Sequence, residues 1–293
     1  METDKILVAG STGYLGQYLV KELMTREVNF SAIARNVFKL NTLGLPSDQI
    51  IKAEVTKPDT LQGKLKGVHT VISTVGITRQ KDGMTYMDVD YQANMNLLEE
   101  AILSGVKKFV YISAINGATN RHLKIMEAKE KFVDQLKASE IDYTIVRPNG
   151  FYSDMKDFLQ MAKTGRVFLF GDGQFKMNPI HGADLAKAIV DLLKEEKKEV
   201  VIGGPDILTQ NEIATLALEA FQKRPKVKHI PDWIRTAFIK LMRKFMSPSH
   251  YGPYEFFLTM MAQDNVAPRY GVVRLKDFFN QEADKIDSKG IYL

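Results

Sequence analysis

Three glycines spaced by three, Gly10, Gly13 and Gly16, follow the apolar run Ile6-Leu7-Val8-Ala9, and that arrangement can hold a pyrophosphate. Gly10 suits the tight turn after a buried strand, Gly13 lets backbone approach a phosphate, and Gly16 lets a helix pack closely on the strand. Ser11, Thr12, Tyr14 and Leu15 complete the stretch. Free N–H groups at the helix start and the positive end of its dipole would face the phosphates. The competing reading is a turn that needs glycine whatever it binds. Context favours the dinucleotide, because the triplet lies on the first predicted strand and opens a helix. Further on, Arg35 ends the second apolar run, Phe30-Ser31-Ala32-Ile33-Ala34, with Lys39 one helical turn later. An acidic residue at this position would hold a ribose hydroxyl, whereas a cation suits a 2′-phosphate, so NADP (NADPH) is expected over NAD. The alternative for Arg35 is a solvated strand end.

These residues need a scaffold, and the hydrophobic pattern supplies one. Strands are predicted at 50–55, with adenine near Glu54 and Val55, and at 68–76, where Thr74, Val75 and Gly76 bring backbone close to a ribose. Helices follow at about 85–104 and 123–139, and further strands at 107–114, ending near Ser113, and at 141–148, ending at Pro148. Six strands alternating with helices predict an α/β fold, a doubly wound parallel sheet of Rossmann type. We expect a dinucleotide-binding core over residues 1–150. Residues 151–293 form a mixed segment that returns to the sheet at 200–204 and builds a smaller carboxyl-terminal substrate lobe. Within it, Thr209-Gln210-Asn211-Glu212 reads as a capping box.

Composition narrows the class. The 293 residues carry 45% hydrophobic and 26% charged side chains, an ordinary globular balance. A formal charge of +5, without an arginine-rich arm, argues against nucleic acid as a partner. There is no cysteine, so a disulfide framework and a thiolate metal site are excluded; no metal is expected, and His69 has no second histidine at ligand spacing. Met1 to Lys5 is read as leading directly into the first strand with no signal peptide, and no apolar run reaches transmembrane length. A cytoplasmic chain is expected, and its oligomeric state stays open.

Gly10 to Gly16, Arg35, Tyr111-Ile112-Ser113 and Tyr143 to Pro148 together resemble the atypical short-chain dehydrogenase/reductases, the group that includes NmrA-like proteins. Tyr143 to Phe151, Phe170 to Gly173, Pro179 to Ala186 and Gly203-Gly204-Pro205 extend the resemblance to divinyl chlorophyllide vinyl-reductases and related photosystem assembly proteins. The resemblance implies an NADPH-binding sheet with the nicotinamide near the ends of strands four to six, a region that includes Pro148, and hydride transfer to a bound small molecule. Many such proteins pair a serine with a tyrosine four residues before a lysine, and the lysine lowers the phenol pKa. Ser113 and Lys129 match two of those positions, with Lys129 expected beside the nicotinamide ribose; the third is Ile125. Tyr152 is the candidate substitute donor, weighed against a packing role.

The expected function is therefore an NADP(H)-dependent oxidoreductase that reduces an apolar or conjugated small molecule. The alternative is a non-catalytic NADP(H)-binding redox sensor or assembly factor. Residues 232–246 place Trp233, Ile234, Ala237, Phe238, Leu241, Met242 and Phe245 at helical spacing beside Arg235, Lys240, Arg243 and Lys244. The stripe suits a helix covering the substrate lobe, and a membrane-surface helix is the rival.

Overall fold

In the computed structural model, which describes residues 4–78 and 83–289, the chain divides into two compact units. The first comprises the residues up to Arg147 together with Leu185–Val200, and the second Pro148–Asp184 with the residues from Val201 onward. Leu185–Val200 thus rejoins the first unit after the second has begun, and of the return expected at 200–204 only Val200 is grouped with it.

That unit is built on β1 (Ile6–Ala9), α1 (Tyr14–Thr25), β2 (Phe30–Ala34), α2 (Phe38–Thr42), β3 (Ile50–Lys52), β4 (Thr70–Ser73), α3 (Ala93–Leu103), β5 (Lys108–Ile112), α4 (Lys124–Ala138) and β6 (Asp142–Pro148). Residues 1–3 of the expected lead-in lie outside the described residues. The strands order as β3-β2-β1-β4-β5-β6, with Glu199–Ile202 as the seventh strand at the edge. Each pair from β3 through β6 is parallel. This is the Rossmann-like sheet that the sequence predicts, and β1 sits at its switch point, between β2 and β4.

Both sheet faces are covered, which explains why the strands read as continuous apolar runs. Leu7, Ala9, Ile33, Val71, Phe109, Tyr111 and Ile145, alternate residues of their strands, share one core with Leu97, Leu98 and Ala101 of α3 and Phe132, Val133 and Leu136 of α4. On the other face Ile6, Val8, Ala32, Ile72 and Val110 are also buried. The third strand stops at Lys52, short of residue 55, because the hydroxyl of Thr60 accepts from the Glu54 N–H and donates to its carbonyl, turning the chain. The predicted helix at 85–104 opens with a π-helical turn, Met87–Gln92, before α3 begins.

The second unit has its own core. Helices Lys156–Lys163, Gln210–Ala220 and Leu275–Lys289 bury Phe158, Leu159, Ala162, Ile213, Ala217, Phe278 and Phe279 with Val167 and Leu169. Strand Val167–Phe170 pairs in parallel with Val227–Ile230, a strand that the mixed sequence Val-Lys-His-Ile did not announce. The capping box forms as expected, with Thr209 Oγ1 accepting from the Glu212 N–H. One side chain joins distant segments: Asn178 donates to the carbonyls of Gly204 and Ala267 and accepts from Asn149 and the Ala267 N–H. The helix Asp232–Phe245 also forms, but its orientation corrects the expectation of a covering helix, because only Ile239 and Met242 are buried. Among the described residues no helix is long and apolar enough to cross a membrane.

Tyr152 requires a correction as well. Its ring is fully buried in this second core, against His181 and Phe278, and its hydroxyl donates to the Val273 carbonyl at 2.7 Å. A phenol with no exposed surface and a committed proton is a packing residue, not the substitute donor. Tyr152→Phe should cost about 1 kcal/mol of stability in urea unfolding and leave NADPH affinity unchanged.

His181 generates a pH dependence. Burial holds its imidazole below the ordinary range, with Asp184 opposing, and its Nδ1 accepts from the Ala183 N–H, which a protonated ring could not do. Below pH about 6.5 the unfolded chain takes up a proton that the folded chain resists, so stability is lost as pH falls from there through the lower folded value. Urea midpoints should drop between neutral and acidic buffer, and His181→Gln should flatten the difference.

Candidate functional site

At the carboxyl ends of β1, β2, β3 and β4 the first unit opens a cleft of about 390 Å³, lined by Gly10, Thr12 and Gly13 and by residues 33–35, 53–56 and 74–77. The turn from β1 into α1 explains its shape. Gly10 has φ +76°, and its carbonyl accepts from the Gly13 N–H at 3.0 Å. A Cβ on Gly10 would meet Thr74 Oγ1 at 2.5 Å, and one on Gly16 would meet the Gly10 carbonyl oxygen at 2.2 Å. Only hydrogen fits at either place. Gly13 precedes α1 in extended conformation, and no side chain caps the helix, so its first N–H groups are left to an external acceptor. A glycine cradle at the switch point, opening on an uncapped helix start, fits a dinucleotide.

The expected cofactor residues divide into two groups. Gly10, Thr12, Gly13, Arg35, Glu54, Val55, Thr74, Val75 and Gly76 line this one cleft. The others support it or lie apart. Ser11 is buried with its hydroxyl donated to the Ile33 carbonyl at 2.6 Å, Leu15 and Gly16 are buried under the turn, and Tyr14 stands edge-on to Tyr18. Lys39 is exposed on α2, and Pro148 closes β6. Arg35 is exposed where it meets the cleft. Across from it the Glu54 carboxyl is held below the ordinary glutamate range, chiefly by Lys57 at 2.8 Å, with the charge of Arg35 contributing.

The wall at residues 74–77 is fixed from behind. Asn94 on α3 accepts from the Ser73 hydroxyl at 2.5 Å and donates to the carbonyls of Val75 and Asp90. Asp90, in the π-helical turn, accepts from the Ile77 N–H through Oδ2, and its Oδ1 lies 2.8 Å from Lys129 Nζ. Both Asp90 and Lys129 crowd Gly76: a Cβ there would come within 2.6 Å of the carboxylate and 2.9 Å of the ammonium. The structure therefore brings Lys129 directly beneath a residue of the cleft wall. Burial opposes the lysine charge, but Asp90 and then Tyr111 outweigh it and hold the ammonium above the ordinary lysine range. Asp90 and Asn94 were missed in the sequence, although two polar residues one turn apart on an otherwise apolar helical face were a visible signal.

Ser113 belongs to a different buried network. Its hydroxyl donates to Glu130 Oε1 at 3.0 Å and accepts from Arg147 Nη1 at 3.3 Å, while Arg147 clamps both Glu130 oxygens. Burial works against the Arg147 charge, yet Glu130 and Glu199 raise it above its ordinary range. Ile125 is buried on α4, so the position of the missing tyrosine is filled by core. Tyr111 packs on Phe132 with ring centroids 4.6 Å apart, and burial pushes its phenol well above the usual range.

A family described as NAD(P)H-binding matches residues 10–196. The chain is 30% identical to the chloroplastic divinyl chlorophyllide a 8-vinyl-reductase of Arabidopsis thaliana over 94% of its own length and 75% of that protein. It is 25% identical to photosystem II assembly factor Ycf39 of Guillardia theta over 77% of its length and 73% of that protein. Among solved structures, an NADPH-dependent quinone oxidoreductase of Escherichia coli, complexed with NADPH, shares the fold with a TM-score of 0.68 at 18% identity, covering 96% of this chain and 99% of that one.

The Asp90–Lys129 pair can be tested as a unit. Removing one member of a buried ion pair costs roughly 3–5 kcal/mol because the other charge is stranded. Asp90→Asn and Lys129→Met should each destabilise by about that much, and the double variant should cost clearly less than their sum in urea unfolding. Additive losses would show that the two residues act separately.

Proposed function

The chain belongs to the NAD(P)H-binding family of atypical short-chain dehydrogenase/reductases, and from that premise we propose that it is an NADPH-dependent reductase of a conjugated, largely apolar small molecule. The single observation that carries this reading is the cleft itself, with the glycine cradle at one end and the Arg35 guanidinium at another. Bound NADPH supplies a hydride. The chain's part is to bind and orient: the uncapped backbone N–H groups at the start of α1 take the pyrophosphate, and Arg35, with Lys39 a turn away, takes the 2′-phosphate. Glu54 and Val55 flank the adenine, and the backbone at Thr74 to Gly76 meets the ribose. Lys129, held charged behind Gly76, adds positive potential to that wall.

The proton is a separate matter. Ile125 has none to give, the Tyr152 proton goes to Val273, and the Ser113 proton goes to Glu130. A reductase built this way takes its proton from water or from the substrate, which suits reduction of a polarised carbon–carbon double bond better than of a simple carbonyl. The reductase relative, whose name specifies a vinyl group on a chlorophyllide, supports that substrate class. The same commitment of Ser113, Lys129 and Tyr152 also favours a second reading, an NADP(H)-binding protein without turnover, and the assembly-factor relative supports it.

NADPH oxidation in the presence of enones, quinones and vinyl-bearing ring systems separates the two readings. Acceptor-dependent oxidation with at least one conjugated class is expected; tight NADPH binding with no oxidation by any of them would establish the second reading. Titration with both cofactors tests the role of Arg35. NADPH should bind more tightly than NADH, and Arg35→Asp should weaken NADPH roughly tenfold or more, since a charge-assisted phosphate contact contributes about 1.5–3 kcal/mol. Equal affinity of the unmodified protein for the two cofactors would remove the assignment.

A further inference from the structure

The helix Asp232–Phe245 presents its apolar side to solvent. Trp233 is 70% exposed, Phe238 45%, Leu241 55% and Phe245 72%. At 100° per residue these four, with Ile234 and Ala237, fall within an arc of about 140°. The two buried residues, Ile239 and Met242, lie outside that arc and hold the helix to its own unit. Exposed apolar stripes of this size are unusual on a soluble surface and mark a place of contact.

Charge identifies what the stripe contacts. Residues 223–246 contain eight Lys and Arg and one acid, Asp232, so this short segment carries +7, more than the +5 of the whole chain. Two of these cations are matched locally, Arg235 by Asp232 and Arg243 by Glu255. Lys240 and Lys244 lie along the edge of the apolar arc that starts at Trp233, and the Lys244 ammonium is 5.5 Å from the Phe245 ring centroid. A short basic helix with an aromatic-rich outer face and cations along one edge matches the interface of an anionic bilayer: rings and aliphatic chains at the acyl boundary, ammonium groups among phosphates. We propose that this helix docks the protein on an anionic lipid surface, lying in the plane of the interface without crossing it.

The test uses the full chain and sedimentation with vesicles of phosphatidylcholine, with and without phosphatidylglycerol. Binding should require the anionic lipid and fall steeply between about 0.1 M and 1 M salt. Lys240→Gln with Lys244→Gln should weaken partition about 30-fold, at roughly 1 kcal/mol for each cation near the surface. Phe238→Ser, Leu241→Ser and Phe245→Ser together should abolish it. All of these side chains are exposed, and NADPH titration confirms that each variant is folded. Failure of the unmodified chain to bind anionic vesicles would overturn the proposal, as would binding that the variants leave unchanged. So would a dimer that the serine variant dissociates and that ignores vesicles, since a second copy would then be the occupant.

Discussion

A largely buried lysine ammonium beneath a glycine needs a counter-charge, and Asp90 supplies it. Asp90 can reach Lys129 because the chain makes a π-helical turn there before settling into α3; such turns often mark functional positions within helices. The same carboxylate takes the Ile77 N–H, and Asn94 takes the residues just before it. One charge pair thus ties α4, the π turn and the loop after β4 into a rigid wall. A second pair, Glu130–Arg147, does the same for Ser113 and the end of β6. Buried charge pairs of this kind fix geometry more than they add stability.

That rigidity bears on the choice between catalysis and binding. The residues expected to move protons are instead engaged in holding the scaffold, while nine of those expected to hold a dinucleotide line an open cleft. On the proposed reading the first unit does the binding, and chemistry beyond hydride delivery depends on groups brought by solvent or substrate.

Much of this was legible in the sequence where local chemistry decides the outcome. The Gly10-Gly13-Gly16 turn, Arg35 after β2 and the Thr209–Glu212 capping box each depend on a few adjacent residues, and each is found where the pattern put it. Partnerships across the chain were not legible. Nothing near Tyr152 announces that its hydroxyl reaches Val273, and nothing near Ser113 announces Glu130 and Arg147. The helix Asp232–Phe245 illustrates the same limit differently: periodicity reveals that a helix has two faces but not which one meets the protein. The strand Val227–Ile230 was missed because a short, partly exposed strand carries Lys and His and shows no apolar run.

The split of the first unit has a consequence for biosynthesis. The sheet's seventh strand, Glu199–Ile202, lies downstream of residues 148–184 of the second unit, so an emerging chain completes β1 to β6 before the edge of β6 can be covered. Along that edge run Tyr143, Thr144, Ile145 and Val146, a stretch with strong strand preference and open backbone groups. The second unit matures later still, since Asn149 bonds the Asn265 carbonyl across 116 residues. The nascent chain therefore carries an adhesive strand edge from the completion of β6 until Ile202 has emerged, an interval in which slow translation or a crowded ribosome invites mispairing.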